Sequence, residues 1–407
     1  MKRISTILIG LSLVFFLTVL PVVSLPSTTA AAEPIKVGFL ACYTGMSSLE
    51  NPWMVNAAKL ACEEFGWEIA GRPIKLIIED SGSAPATAVD KARKMVEADK
   101  VHVVIGPITS HAASAVASYL KGIGIPFLFV AEGRIEMLRL GGGNVYLPKG
   151  TLRGRSYPLG YYAYDKMGAR TAVVIHDDFA SGEDFADGAM DAFVSRGGKI
   201  VQRIRAPMDT MDYGPYLSSM KDADVVLYWM VPHHNVQFVK QYYAYGMKMP
   251  LVISGDPTLG SMSMKEIGDN CLGIIAINAY EAGIDTSGSA AWRDRWMKQY
   301  GHLSEKEGKH PYQAEGATAY NSVSIALQAI KAAGGNTSKK VLNDTLKKTK
   351  FETPWGPVSF TNEGLIIANS YILRIIKEGD FYRYKDIFTY EQVEAREPDD
   401  IKGAAKK

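Results

Sequence analysis

Apolar and polar positions along the chain form blocks that switch between strand and helix periodicity. Short, nearly continuous apolar segments, such as residues 35–41 and 101–105, predict strands with both faces covered. Between them, apolar residues recur at helical spacing, as at residues 85–98, where Pro85 suits a first helical turn. Strict alternation of the two patterns predicts a parallel, doubly wound α/β sheet.

The alternation of strand and helix patterns starts again after residue 148, without a direct sequence repeat. In the first block we predict strands at residues 35–41, 74–80, 101–105 and 126–131, and helices at residues 52–68, 85–98 and 110–121. In the second block we predict strands at residues 171–176, 199–204, 224–230, 251–254 and 271–279, and helices at residues 153–167, 182–196 and 233–245. Helices at residues 290–300 and 311–333 then lead to a strand at residues 366–376, and the charged residues 391–407 are predicted to form a frayed tail.

The first residues have the layout of an export signal. A basic start at residues 1–3 is followed by an apolar run over residues 4–23 and by small residues that end in Ala30-Ala31-Ala32. This predicts a signal peptide over residues 1–32, cleaved near Ala32, and a periplasmic or extracellular protein. An uncleaved anchor helix is the alternative, since the apolar run is nearly long enough to span a bilayer.

The composition is that of a soluble protein, with 47% hydrophobic and 22% charged residues. A net charge of +2 provides no basic field, so we expect no nucleic-acid partner. Removal of residues 1–32 from the 407-residue chain leaves enough for two domains. Cys42, Cys62 and Cys271 are too few for a disulfide scaffold, and we expect buried, inert thiols, with one bridge as the alternative.

Several segments together resemble a known family. They are residues 35–40 (IKVGFL) with Thr44-Gly45, 71–76 (GRPIKL), 79–85 (EDSGSAP), 104–107 (VIGP), Asp177-Asp178, and 356–360 (GPVSF) with Gly364. In their order and spacing they resemble the periplasmic solute-binding proteins of the branched-chain amino-acid (Leu/Ile/Val) ABC-transporter family. The resemblance implies a type I periplasmic binding protein: α/β, with two Rossmann-like, doubly wound lobes joined by a three-strand hinge and solute held in the cleft.

The resemblance also implies how the chain is divided between the lobes. The N-terminal lobe would comprise residues 33–150 plus 279–350. The C-terminal lobe would comprise residues 151–278 plus 351–390, leaving residues 391–407 as the tail.

Thr109 and Ser110 follow the third strand, at the start of a predicted helix. In parallel sheets, ligands bind beyond the carboxyl ends of strands, and a helix that begins there directs free N–H groups at them. Hydroxyl and N–H groups can therefore hold a carboxylate at this position. The alternative from the residues alone is a plain helix cap, since serine and threonine are favoured there. The resemblance implies that Ser110 binds the ligand carboxylate.

The resemblance implies further contacts, with two departures. Backbone groups near Ala131 would face the ligand, and Gly133 stands where amino-acid-binding relatives have a threonine, so that only its N–H is available. Asp256 would face a ligand amino group, although an aspartate in the turn Ser254-Gly255-Asp256-Pro257 is equally well explained by turn chemistry. Ser181 stands where such relatives have a tyrosine. Both departures leave the carboxylate site intact and put an α-amino acid in doubt.

Aromatic residues near strand ends add apolar surface to the predicted cleft. They are Tyr43, Trp53, Phe179 and Trp229, each of which is also well explained as core. His233 is a candidate hydrogen-bond donor at the cleft edge. Its pair with His234, and the pair His176-Asp177, lack the usual metal-ligand spacing, so we expect no metal.

Enzyme motifs are weak or missing in the sequence. Residues 218–221 match S-x-x-K without its companion motifs, and neither G-x-G-x-x-G nor a P-loop lysine motif occurs. We therefore expect no cofactor and a binding protein, with a hydrolase or redox enzyme as a rival interpretation.

The expected function is that of a monomeric receptor that feeds an ABC importer. Its ligand would be a small carboxylate with an apolar body: a branched-chain amino acid, its keto acid or an aromatic acid. Its macromolecular partners would be the permease subunits at the membrane. A sensor of the same fold, which signals to a partner, is the alternative.

Overall fold

The computed structural model describes residues 32–48, 51–253, 259–278, 280, 284–301 and 314–395. Within these ranges the strands are β1 (Ile35–Ala41), β2 (Glu68–Ile69), β3 (Arg72–Asp80), β4 (Val103–Ile105), β5 (Phe127–Leu128), β6 (Val145–Tyr146), β7 (Thr171–Asp177), β8 (Lys199–Ala206), β9 (Val225–Trp229), β10 (Leu251–Ile253), β11 (Ile275–Asn278), β12 (Phe351–Thr353), β13 (Gly356–Phe360), β14 (Ile366–Glu378) and β15 (Phe381–Glu394). The helices are α1 (Asn51–Glu64), α2 (Pro85–Lys94), α3 (Ser110–Leu120), α4 (Ile135–Gly141), α5 (Leu152–Asp165), α6 (Ala180–Ser195), α7 (Gly214–Ser218), α8 (Pro232–Ala244), α9 (Ser261–Ile267), α10 (Ser287–Tyr300), α11 (Ala314–Ala332) and α12 (Lys339–Lys348).

The first lobe is built on a sheet with strand order β2-β3-β1-β4-β5-β6. From β3 to β6 neighbouring strands are parallel, and β2 pairs antiparallel with β3. Strand β1 is almost wholly buried, which explains its continuously apolar sequence. Helix α11 returns to this lobe and packs along α1, and α12 packs against α11.

The second lobe is built on a sheet with strand order β12-β13-β14-β11-β10-β9-β7-β8, and β15 pairs with β14. From β8 to β11 the pairing is parallel, whereas β14 joins β11 antiparallel. The chain changes lobe after β6, after β11 and after α12. The predicted α/β class is therefore confirmed, while the lobe bounds given above remain a prediction.

Three details of the sequence interpretation are corrected. The strand expected at residues 271–279 begins only at Ile275, because Gly268–Cys271 forms a 3₁₀ helix. The fourth strand, expected at residues 126–131, is only Phe127–Leu128. The tail expected at residues 391–407 is wrong for its first residues, because β15 stays paired with β14 up to Glu394, and residues 396–407 lie outside the described residues. The signal peptide predicted for residues 1–32 falls outside the described residues, apart from Ala32.

Cys42, Cys62 and Cys271 are buried thiols, as expected. Burial raises the pKa of the Cys62 and Cys271 thiols to about 12, so both stay protonated at neutral pH. Within the described part of the chain, no helix combines the length and hydropathy needed to span a membrane.

Candidate functional site

The carboxyl edge of β4 leads into α3 through a tight turn that ends at Thr109. Gly106 enables the turn, since its φ of 88° favours glycine and a Cβ there would collide with the Leu40 carbonyl. Residue 109 then occupies the N-cap position of α3, with extended backbone. The cap residue thus lies at the edge where parallel sheets bind ligands.

The Thr109 side chain does not behave as a helix cap. Its hydroxyl makes no capping hydrogen bond, and Oγ1 is buried without a partner among the described residues. By contrast, Thr151 Oγ1 accepts from the Gly154 N–H at 3.0 Å at the start of α5. Thr286 Oγ1 likewise accepts from the Ser289 N–H at 3.0 Å at the start of α10. The plain-cap interpretation therefore does not describe what Thr109 does, and a buried hydroxyl left unpaired is costly without a further partner.

Ser110 lies beside Thr109 and is exposed. Its Oγ donates a long hydrogen bond of 3.4 Å to the carbonyl oxygen of Glu132, on the loop after β5. The N–H groups of Ser110, His111 and Ala112 are those that a helix leaves without intrahelical acceptors. Hydroxyls, N–H groups and the positive end of the α3 dipole thus converge on one place, which suits an anion.

The loop after β5 brings Ala131 and Gly133 to the same edge. Ala131 is half-buried beside the Ser110–Glu132 contact. The expectation that the Gly133 N–H is available to a ligand is wrong, because it donates to the Gly150 carbonyl at 3.0 Å. A Cβ on Gly133 would stand 2.9 Å from Leu147 Cδ2, so any side chain here would require Leu147 to move.

Glu132 forms a buried ionic network that the sequence interpretation missed. Its Oε1 accepts from Lys149 Nζ at 2.9 Å and from Arg155 Nη1 at 2.8 Å. Arg155 Nη2 also donates to Asn278 Oδ1 at 2.9 Å, at the end of β11. Since Lys149 follows β6 and Arg155 lies in α5, this network fixes the loop after β5 to both sides of the first crossing between the lobes.

At the corresponding edge of the second lobe, aromatic rings dominate. Trp229, the last residue of β9, stacks on Phe185 with ring centroids 5.0 Å apart and lies 5.6 Å from Phe179. Trp229 is buried, and its Nε1 has no hydrogen-bond partner within the described ranges. Phe179 and Trp229 are thus brought together, as a wall of two aromatic residues.

Asp177 lies at the end of β7 and is completely buried. Its carboxylate accepts from the Val231 N–H at 2.7 Å and from His234 Nδ1 at 2.8 Å. His176 Nδ1 donates to the Asp177 carbonyl at 2.8 Å, since Arg203 Nε donates to the other ring nitrogen at 3.1 Å. Burial lowers the pKa of His176, which keeps its ring neutral. The hydrogen-bonding groups of Asp177 and His176 are thus already bonded to other groups of the second lobe.

The remaining candidates of the second lobe lie near this edge. Ser181 is half-buried in the first turn of α6. His233 is exposed in the first turn of α8, its ring 4.2 Å from that of His234. Asp256 lies outside the described residues, so its role stays a prediction.

The two aromatic candidates of the first lobe lie after the end of β1 and in α1. Tyr43 follows β1 and is 52% exposed. Trp53 is half-buried in α1, and its Cβ lies 3.3 Å from where a Cβ on Gly316 of α11 would stand. This places Trp53 at a helix–helix contact of its own lobe. In the part of the chain that the structure describes, no group of three or more His, Cys, Asp or Glu residues is arranged to hold a metal ion.

The chain is similar in sequence to a known protein family. A family model described as periplasmic binding protein matches residues 34–380. The Leu/Ile/Val-binding protein homolog 6 of Brucella suis biovar 1 (strain 1330) is 25% identical over 385 residues, which cover 92% of this chain and 96% of that protein.

Solved structures show the same fold. An ABC transporter substrate-binding protein from Sphaerobacter thermophilus superposes with a TM-score of 0.79 at 25% identity, covering 89% of this chain and 99% of that one. A solute-binding protein of an ABC transporter from Rhodopseudomonas palustris BisB5, in complex with 3,4-dihydroxybenzoic acid, gives a TM-score of 0.75 at 23% identity, covering 90% of this chain and 99% of that one. These similarities extend over both lobes.

Proposed function

Since this chain belongs to the periplasmic binding protein family, we propose that it is the extracytoplasmic receptor of an ABC importer and captures a small carboxylate with an apolar body between its lobes. The ligand carboxylate would bind at Thr109 and Ser110, at the start of α3. The permease subunits of the importer would be its macromolecular partners.

The observation that carries this proposal is the state of Thr109. Its hydroxyl is buried at the N-terminus of a helix of 11 residues and has no partner within the described part of the chain, so a further acceptor is expected there. Ser110 Oγ makes a long hydrogen bond of 3.4 Å, which a closer ligand oxygen would replace.

The second lobe would supply the apolar half of the site. Phe179 and Trp229 form an aromatic wall, and Asp177 is already bonded to His234 and to a backbone N–H. A ligand ammonium would therefore depend on Asp256. The described residues favour an aromatic acid or a keto acid over an amino acid.

Names of similar proteins point to the same ligand classes. The Brucella suis relative is named as a Leu/Ile/Val-binding protein homolog, and the Rhodopseudomonas palustris structure contains 3,4-dihydroxybenzoic acid. Binding would shift the protein toward the closed arrangement, because only there do both lobes contact the solute.

A thermal-shift screen tests the proposal. The purified protein is heated with L-leucine, 4-methyl-2-oxopentanoate, benzoate and 3,4-dihydroxybenzoate, each at several concentrations. A true ligand raises the unfolding temperature with concentration by mass action. Benzamide is the control, since it keeps the ring of benzoate and lacks the carboxylate.

We expect an aromatic or keto acid to give the largest shift, with one ligand bound per chain and no turnover. If benzamide stabilises the protein as much as benzoate does, the carboxylate site is wrong. Chemical conversion of a stabilising compound would instead favour the enzyme interpretation.

A further inference from the structure

Arg134 and Asp184 form an ion pair between the two lobes. Arg134 is the N-cap of α4, which packs against α3 in the first lobe, whereas Asp184 lies in α6 of the second lobe. Arg134 Nε and Nη2 both donate to Asp184 Oδ2, at 2.9 and 2.7 Å. Because the partners belong to different lobes, we expect this contact to be lost when the lobes rotate apart.

The carboxylate is the more buried partner of the pair. The side chain of Asp184 is 22% exposed, against 52% for Arg134. Burial raises the pKa of Asp184, while the charge of Arg134 opposes that rise. In this structure the Asp184 side chain is thus largely removed from water, and Arg134 supplies the compensating charge from the opposite lobe.

Other charges near Asp184 already have partners within the second lobe. Asp187, on the same helix, accepts from Arg203 at 2.7 Å. Arg153, on α5, pairs with Asp191. Arg134 is therefore the cation that the first lobe contributes to this group.

We propose that Arg134 is a positioning residue that sets the affinity for the ligand, without touching it, by neutralising Asp184 when the lobes close. The inference rests on the proposed function, in which ligand is bound between the lobes. Removing Arg134 alone leaves a desolvated, unpaired carboxylate in the closed state, and such a loss costs more than removing both partners. The closed population then falls, and the apparent affinity falls with it.

The location of Arg134 on the chain adds to the argument. It directly follows the segment of Ala131, Glu132 and Gly133 that borders the candidate carboxylate site. Glu132 fixes this segment to Arg155 of α5, at the crossing between the lobes. The segment and Arg134 thus form two ion pairs with the second lobe. The first lobe contributes the carboxylate of Glu132 to one pair and the cation of Arg134 to the other.

The test compares Arg134→Met with the double variant Arg134→Met/Asp184→Asn. The readouts are the radius of gyration without ligand, by small-angle X-ray scattering, and the affinity for 3,4-dihydroxybenzoate, by calorimetry. We expect Arg134→Met to enlarge the ligand-free protein and to weaken affinity about fivefold, and the double variant to restore both.

The pH dependence of ligand affinity distinguishes charge neutralisation by Arg134 from a purely structural role. As the pH falls from about 7 toward the raised pKa of Asp184, its carboxylate gains a proton and the cost of burying it disappears. The affinity of Arg134→Met should therefore approach that of the double variant at low pH, and the gap between them should widen again as the pH rises.

Arg196→Met is the matched control, since Arg196 pairs with Asp165 at 3.2 Å within the second lobe. It should change neither the radius of gyration nor the affinity. The inference is overturned if Arg134→Met behaves like this control, or if the double variant keeps the full defect. Should 3,4-dihydroxybenzoate not bind at all, that ligand assignment fails, and the radii of gyration of the ligand-free variants still decide the role of Arg134.

Discussion

The edges of the two lobes that carry the candidate site differ in what they leave unbonded. In the first lobe, Thr109 Oγ1 is buried without a partner among the described residues, and Ser110 Oγ makes a long hydrogen bond of 3.4 Å. In the second lobe, the buried charge of Asp177 is bonded to His234 and to the Val231 N–H. The first edge retains an unbonded hydroxyl beside helix N–H groups, whereas the buried carboxylate of the second edge is already bonded internally.

This difference suggests that the two edges contact different parts of the ligand. Both edges lie at the carboxyl ends of parallel strands, so topology alone does not distinguish them. The first would recognise the charged group of the ligand, and the second would surround its apolar body with Phe179 and Trp229. The carboxylate of Asp177 then serves stability and not recognition.

The largest expected effect comes from Asp177→Ala. The change leaves the buried Val231 N–H and His234 without their acceptor, and we expect unfolding free energy to fall by about 3 kcal/mol. Urea unfolding measures this loss. The neighbouring Asp178→Ala, at an exposed position, is the control and should have little effect.

The ligand affinity of folded Asp177→Ala protein tests whether Asp177 has a structural role or belongs to the binding site. If Asp177 is structural, this affinity stays near that of the wild type. A large loss of affinity at unchanged stability would instead place Asp177 in the site and remove the proposed contrast.

The second prediction concerns recognition at the first edge. Ser110→Ala removes a hydroxyl expected to donate to the ligand carboxylate, so affinity should fall about tenfold, with stability nearly unchanged. Calorimetry with the strongest ligand of the screen measures the loss. Ser118→Ala, on the same helix, is the control, since its Oγ bonds only the Ser114 carbonyl among the described residues. An affinity equal to that of the wild type would exclude Ser110 from the site.

Local sequence patterns predicted the parts of the molecule that depend on neighbours along the chain. The apolar run of β4 and the following Thr109-Ser110 indicated a strand, a turn and a helix start, and all three are present. The bond between the Gly133 N–H and Gly150, and the contacts of Glu132 with Lys149 and Arg155, join segments that only the tertiary fold brings together. No periodicity encodes such contacts.

The missed strand β15 has a related explanation. Its burial is intermediate at most positions, because it pairs on one side with β14 and carries polar residues throughout. Such a strand lacks the continuous apolar run that revealed β4. The charged character of its last residues was therefore interpreted as a tail.

The smallest effect is expected at Gly133, where the chain departs from amino-acid-binding relatives. A Cβ there would stand 2.9 Å from Cδ2 of the fully buried Leu147, so Gly133→Ala should cost about 1 kcal/mol of unfolding free energy. Gly301→Ala is the control, because the nearest group to its new Cβ is the flexible end of the exposed Met297.

The same position sharpens the comparison of the edges. Because the Gly133 N–H already donates to Gly150, the added methyl group should leave affinity for a carboxylate unchanged. Likewise, Gly133→Thr should not create binding of L-leucine, which the thermal-shift assay can measure directly. A gain of L-leucine binding would mean that the loop after β5 repositions easily. The choice between amino acids and other carboxylates would then be made at the first edge and not at the second.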